Sequence, residues 1–325
     1  MALPKKVQNL SKLLNFYGRF APSFTRLGYY ARLIPLRPRG ARFDGQRWLV
    51  SGATGGIGRA AALDAARGGA KVFALGRNPA ALAALVHDAA GLRGSITPVR
   101  CDLASIAEID RLAREWPADL PIDVLVNNVG ILNVGFAQTA EHFESSYATN
   151  LLGHFCLTEG LAKAGALARG GAIINVVSGG MFNAPLNLEM LDQAEAGYNG
   201  YAAYASHKRA QVALADHWRA AFSDLALATY AVHPGWADTA GVQTSLPTFR
   251  KILLPILRNP RQGADTIIWL GARRPAQEDD RVWFDRKSRT THAYPATRQP
   301  RTTVAALVER LRSDCARALG DGKVA

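Results

Sequence analysis

The chain has 325 residues, 48% hydrophobic and 20% charged, enough to enclose one large core and too apolar for a globally disordered protein. Its three cysteines, Cys101, Cys156 and Cys315, are odd in number and lack metal-ligand or redox-pair spacing, which argues against a disulfide scaffold or structural zinc and fits a reducing cytoplasm. Of the formal charge of +13, +8 falls between Met1 and Gly45, where Lys5, Lys6, Lys12, Arg19, Arg26, Arg32, Arg37, Arg39 and Arg42 face a single acid, Asp44. Aromatic residues interleave with these charges, among them Phe16, Tyr17, Phe20, Phe24, Tyr29 and Tyr30. Two readings stay open: an arm packing on the body of the protein, or peripheral contact with an anionic lipid surface through residues 5–36. No apolar run reaches the ~18 to 20 residues of a spanning helix, and no signal-cleavage pattern follows. Nucleic-acid binding ranks last, because no recognition motif accompanies the basic segment.

From Arg42 onward short apolar runs alternate with alanine-rich amphipathic stretches. Strands are predicted at Arg47 to Val50, Lys71 to Leu75, Ile96 to Arg100, Asp123 to Asn127, Ala172 to Val177 and Leu227 to His233. Between them lie predicted helices at Ile57 to Arg67, Ala80 to Ala89, Ile106 to Glu115, Phe143 to Lys163 and Ala203 to Ala220. Strands that repeatedly alternate with helices must pair in parallel, since each crossover returns over the sheet, so a doubly wound α/β domain is expected over 43–290. Residues 1–42 and 291–325 are then extensions, the second carrying a helix.

The chemistry begins at the first strand-to-helix turn, Ser51-Gly52-Ala53-Thr54-Gly55-Gly56-Ile57-Gly58. Glycines at 52, 56 and 58 suit a tight turn, a close approach of a pyrophosphate to the backbone and a helix packed against the sheet. A dinucleotide is therefore the expected cofactor, with Thr54 and Ile57 in the same loop. The second strand runs into Gly76-Arg77, where an NAD-selective site would hold a carboxylate. A guanidinium there suits a 2′-phosphate and favours NADP(H) over NAD(H), the plainer alternative being an ordinary surface arginine. Asp102 and Leu103 follow the third strand as an adenine contact, and Asn128 and Gly130 follow the fourth, at the carboxyl edge where ligands bind.

Tyr204 and Lys208 stand four apart on a predicted helix, one turn from each other on one face. An ammonium so placed favours the phenolate and brings the phenol towards the range of a general acid or base. Ser178, just beyond its strand, can meet a substrate oxygen, and Asn150 can hold a water against Lys208 for proton resupply. His207 is expected at the surface or an interface, Cys156 in the core, and Trp236 beside the nicotinamide or, as the second choice, along the substrate tunnel.

In this order, Gly52/Gly56/Gly58, Asn127-Asn128-Val129-Gly130, Asn150, Ser178, Tyr204/Lys208 and His233-Pro234-Gly235 resemble the short-chain dehydrogenase/reductase superfamily over about residues 43 to 290. The resemblance implies a seven-stranded parallel Rossmann sheet and hydride transfer at C4 of a nicotinamide. It implies Tyr204 as proton donor or acceptor, Lys208 on the nicotinamide ribose, Ser178 orienting the substrate oxygen and Asn150 in the proton relay. Pro234, Gly235 and Thr239 complete the cofactor contacts, and homodimers or homotetramers pairing through the two long helices near Asn150 and Tyr204 are implied as well.

Val177-Ser178-Gly179-Gly180-Met181, Lys208-Arg209-Ala210-Gln211, His233 to Thr239, Asp285-Arg286-Lys287 and the leader Asn15 to Tyr30 are similar to a narrower branch, dehydrogenase/reductase SDR family member 12, close to retinol-dehydrogenase-like enzymes. A lipophilic retinoid-, steroid- or fatty-aldehyde-like carbonyl, or its alcohol, is the substrate this suggests. Three departures stand out: Ser51 for threonine, Val129 for alanine, and 26 positions from Ser178 to Tyr204, about double the common interval. The extra segment, Pro185 to Asn199, is expected to wall the substrate, with Glu189, Asp192 and Glu195 on its solvated face. A non-catalytic NADP(H)-binding sensor would commonly lack the Tyr/Lys pair, and an epimerase or dehydratase would carry a different glycine spacing.

Overall fold

Trp48, Leu49 and Val50 of the first strand are buried on both faces of the pleat, which is possible only with helices above and below the sheet. The computed structural model describes residues 18–33 and 41–320. Parallel strands β1 (Arg47–Ser51), β2 (Lys71–Gly76), β3 (Ser95–Arg100), β4 (Ile122–Asn127), β5 (Leu167–Val176), β6 (Ala228–Val232) and β7 (Arg281–Phe284) pair in the order 3-2-1-4-5-6-7. The expected seven parallel strands are present, and an eighth, β8 (Lys287–Thr290), adds antiparallel to β7. Asp285 and Arg286 close that hairpin with φ of 47° and 58°, the left-handed pair that a two-residue hairpin turn requires.

Six helices flank the sheet. On one side α3 (Gly56–Arg67), α4 (Pro79–Asp88) and α11 (Pro260–Arg273) cover a core around Trp48, Val126, Ile174 and Leu270. On the other, α5 (Ile106–Arg114), α7 (Gly153–Lys163) and α8 (Gly200–Ala221) cover Leu49, Leu125, Phe155 and Trp218. The predicted helix from Phe143 to Lys163 is broken into three parts: one turn, α6 (Ser145–Tyr147), a π-helical stretch Ala148–Leu152, and α7. Asn150 lies in the π stretch. Beyond β6 come the short helices α9 (Ala240–Ser245) and α10 (Pro247–Leu253).

The described parts of both extensions, 18–33 and 291–320, fold onto the domain. The C-terminal helix α12 (Val304–Ala318) buries Leu307, Val308 and Leu311 in the same core as Phe155, Leu214 and Trp218, on α7 and α8, the helices expected to pair subunits. Cys156 of α7 and Cys315 of α12 are joined in a disulfide, with Cα atoms 6.4 Å apart. The sequence argued only against a disulfide scaffold, from spacing along the chain, and did not anticipate this bond; the two cysteines lie 159 positions apart and meet only through the fold.

The leader forms helices at 18–24 (α1) and Arg26–Leu33 (α2). Phe24 is buried among Phe20, Phe182, His233, Trp236 and Phe284, at ring-centroid distances of 4.7, 6.1, 4.3, 5.6 and 5.2 Å. Its carbonyl accepts from the Trp236 amide at 2.9 Å and from Arg258 Nε at 2.9 Å. Arg258 is itself buried and grips Asp285 through two bonds of 2.6 and 2.9 Å, while Arg32 of the leader reaches the same carboxylate. A buried guanidinium is tolerated only when its donors are filled, and here the leader carbonyls and Asp285 fill them. Of the two readings of the arm, residues 18–33 take the packed one; residues 1–17 and 34–36 lie outside the described residues. Leu27 and Tyr30 remain exposed, and among the described residues no helix is long and apolar enough to cross a membrane.

Candidate active site

The carboxyl ends of β1 and β4 lie next to each other where strand order reverses, the place at which such sheets bind ligands. Gly52 has φ of 64° and Gly56 has φ of 51°. A Cβ on Gly52 would stand 2.6 Å from Val129 Cγ2 and 3.0 Å from Asn128 Nδ2, and with the positive φ this crowding favours glycine at 52. A Cβ on Gly58 would strike the Gly52 carbonyl at 2.3 Å, which is how that glycine brings α3 against the loop. Gly55, the N-cap of α3, supplies no side-chain cap, and the space where its Cβ would stand is open. Uncapped amides at a helix N-terminus beside open space fit the oxygens of a pyrophosphate. Ser51 holds the loop from beneath: its hydroxyl accepts from the amides of Asn128 (2.8 Å) and Val129 (3.2 Å), and Asn128 Nδ2 donates to the Ser51 carbonyl at 2.9 Å.

The other expected cofactor residues gather around this loop. Thr54 sits over Gly76, and the methyl of Thr239, the N-cap of α9, closes on Gly56. Ile57 packs against Gly263 of α11. Arg77 is 74% exposed at the end of β2, with Nη1 3.7 Å from Asp102 Oδ2. Asp102 also accepts from the Ala104 amide, while the Leu103 side chain is core. Gly235 has φ of 77° and lies against Arg258, and the buried Pro234 directs its carbonyl to the same guanidinium at 3.4 Å. Trp236, expected beside the nicotinamide, stands between Phe24 of the leader and Phe249 of α10, edge-on to both.

Tyr204, Lys208 and Ser178 meet at the end of β5. The Ser178 hydroxyl, which accepts from the Gly180 amide at 3.4 Å, lies near enough to the Tyr204 phenol to favour its ionised form, and Lys208 Nζ lies 5.7 Å from the Tyr204 ring centroid. Lys208 is buried and donates to the Val176 carbonyl at 2.8 Å and to Gln211 Oε1 at 2.9 Å. A Cβ on Gly130 would come within 3.2 Å of Nζ, so glycine there lets the lysine head approach the loop. Asn150 spends its side chain on the backbone of Ile131, accepting from its amide and donating to its carbonyl, both at 2.7 Å.

The electrostatics differ from expectation in direction. Burial raises the Tyr204 phenol above its ordinary value, opposed only by the nearby Ser178 hydroxyl, whereas a neighbouring ammonium was expected to lower it. Burial also lowers Lys208 to about 7. Both shifts have one cause, desolvation of the charged form, and it prevails because the ammonium points to Val176 and Gln211 rather than to the phenol oxygen.

Two further expectations are corrected. His207 is fully buried, with Nε2 2.8 Å from the Leu191 carbonyl, because α8 is covered on nearly every side and Ser206 to Val212 are all buried. The segment Pro185 to Asn199 buries Leu186 and Leu191, and its acid Asp192 accepts from the Glu144 amide and faces Arg310 of α12 rather than water alone. Gln211, quoted only within the Lys208-Arg209-Ala210-Gln211 motif, was given no role from the sequence, and Arg258 went unrecognised there. Nothing in spacing marks Gln211, although its position one turn beyond Lys208 places it on the same helical face.

A fold of this order, with a glycine-lined helix terminus and a Ser/Tyr/Lys cluster at one sheet edge, defines a dinucleotide-dependent dehydrogenase or reductase. The family model for short chain dehydrogenase matches residues 46–248, and the chain belongs to the short-chain dehydrogenase/reductase superfamily. Along most of its length it is similar to dehydrogenase/reductase SDR family member 12 of Homo sapiens, 30% identical over 297 residues, covering 89% of this chain and 92% of that protein. It is also 32% identical to polyprenol dehydrogenase of Mus musculus over 240 residues, 69% of this chain and 70% of the other. Among solved structures, one assigned as an NAD(P)-dependent gluconate 5-dehydrogenase of Beutenbergia cavernae, with NADP at low occupancy, superposes with a TM-score of 0.58 at 26% identity, covering 72% of this chain and 92% of that one.

Proposed function

We propose that this chain is an NADP(H)-dependent oxidoreductase that interconverts a lipophilic aldehyde or ketone and its alcohol. The observation that carries the reading is the convergence of Tyr204, Ser178 and Lys208 at the carboxyl end of β5, beside the glycine loop. The first-turn amides of α3 and the surfaces of Gly52, Gly56 and Gly58 would hold the pyrophosphate, and Arg77, exposed and close to Asp102, would take a 2′-phosphate. A bound NADPH supplies the hydride.

The residues of the chain then manage the proton. A phenol raised by burial stays protonated through the working range, so in the reductive direction Tyr204 gives its proton to the substrate oxygen. Ser178, beside Tyr204, would fix that oxygen, and Lys208, whose head lies close to Gly130, would hold the ribose of a bound cofactor. Asn150, whose side chain secures Ile131 and whose carbonyl accepts from Gln211 Nε2, would serve the proton relay by holding the loop and helix around Lys208 in place. The catalytic unit comprises 43–290, with 1–42 and 291–325 as extensions. Support for an apolar substrate comes from the polyprenol dehydrogenase likeness. Contact with an anionic lipid surface would fall to Leu27 and Tyr30, which stand exposed beside Arg26.

The test is NADPH consumption over a panel of medium-chain, retinoid and polyisoprenoid aldehydes and ketones. Turnover that rises with chain length and prefers NADPH to NADH supports the reading. Tight NADPH binding with no turnover on any member would replace it with a binding protein.

A further inference from the structure

One buried side chain outside the expected set touches three parts of the site. Gln211, 1% exposed, accepts from Lys208 Nζ at Oε1 (2.9 Å), while its Nε2 lies 2.7 Å from the Asn150 carbonyl and 2.9 Å from His154 Nδ1. The orientation of this amide is dictated by chemistry: an ammonium has protons and no lone pair, so it must face the oxygen, which sends the NH2 to the Asn150 carbonyl beside His154. His154 Nδ1 also lies 3.1 Å from the Asn150 carbonyl, and its Nε2 lies 3.3 Å from Ser51 Oγ, the hydroxyl that receives the Asn128 and Val129 amides. Lys208 is so tied, through Gln211, His154 and Ser51, to the loop that carries the glycines.

We infer that Gln211 is a positioning residue for Lys208: it fills one of the three ammonium donors and, anchored on the Asn150 carbonyl and His154, fixes the lysine head against Gly130. The inference rests on the catalytic reading of Lys208 given above. Val176 fills a second donor, and the Gly130 side is left for the third. With only desolvation acting on it, a buried ammonium is poorly held in its charged form, and a neutral amide oxygen supports it without neutralising it. The titratable groups that face it are Tyr204 and His207 from its own helix and His154 from α7; β5 presents the Val176 carbonyl and the adjacent loop presents Gly130. Burial keeps both histidines neutral, at about 4 for His207 and about 3 for His154, so neither adds a competing cation.

The experiment follows the lysine directly. The protein is labelled with 13Cε-lysine, the Lys208 resonance is assigned by its loss in Lys208→Met, and its titration is compared in wild type, Gln211→Leu and Gln211→Glu, beside the pH profile of NADPH turnover. Leucine removes the acceptor and should lower the Lys208 midpoint by about one pH unit, with the alkaline limb of turnover moving the same way. Glutamate adds a charge and should move both in the opposite direction. If the leucine variant does not fold, the glutamate variant alone decides. Unchanged midpoints in folded variants overturn the inference, even where turnover falls. A wild type without turnover would remove the enzyme reading and leave the titration result standing.

Discussion

Phe24→Ala tests whether the leader is part of the enzyme body. Phe24 is 4% exposed, and five aromatic rings lie within 6.1 Å of its own. The substitution leaves the bonds to the Phe24 carbonyl in place, since Trp236 and Arg258 donate to backbone, so the loss is packing alone. Truncating a buried phenylalanine costs about 3 to 5 kcal/mol, and a cleft bordered by a short terminal helix can collapse in part, which puts the expected cost near the lower figure, about 3 kcal/mol. Urea unfolding followed by tryptophan fluorescence measures it, and limited proteolysis reports whether α1 and α2 come loose first. Because Trp236 and Phe182 also lose a neighbour, the Michaelis constant for an apolar substrate should rise. A midpoint equivalent to less than about 1 kcal/mol, with the leader no easier to cleave, would refute the packed arm.

Arg77→Ala should raise the Michaelis constant for NADPH about tenfold and leave that for NADH nearly unchanged, as a paired guanidinium–phosphate contact requires; equal effects in steady-state assays would remove the cofactor assignment. Stability should fall steeply in acid, because burial lowers His154 and His233 to about 3 and His207 to about 4. These groups bind protons in the unfolded chain near ~6.5 but not in the folded one, so their contribution is full above that value and is lost as pH drops towards 4 and 3, at up to about 1.4 kcal/mol per pH unit for each. His233→Asn should flatten the slope between pH 6 and 4 in thermal melts. Cys156→Ser should lower stability by about 2 to 5 kcal/mol, reproduced by reductant on the wild type and not by reductant on the variant.

The strands were readable because β1, β2 and β4 are short β-rich runs bounded by Gly, Asn or Asp, and each was placed to within one or two residues. The glycine loop and the Tyr204/Lys208 pair were equally plain, since local spacing alone sets a tight turn at the one and puts the other on one helical face. What escaped depends on tertiary contact. The π stretch at Asn150 has no signature in apolar periodicity, and the Cys156–Cys315 bond depends on α12 docking 159 residues downstream. His207 looked exposed by its helical face, but α8 runs between the sheet, the segment after Ser178 and α12, so almost no face is free. The basic leader was ambiguous for the same reason: Arg258 and Asp285, which receive it, are far along the chain and meaningless in isolation.

Single-turnover hydride transfer in Tyr204→Phe addresses the central assignment most directly. With NADPH prebound and a reactive lipophilic aldehyde added, the variant should bind cofactor as wild type does and transfer hydride about 10² to 10⁴ times more slowly, because the proton for the substrate oxygen has lost its donor. Hydride transfer within a few-fold of wild type would contradict the account.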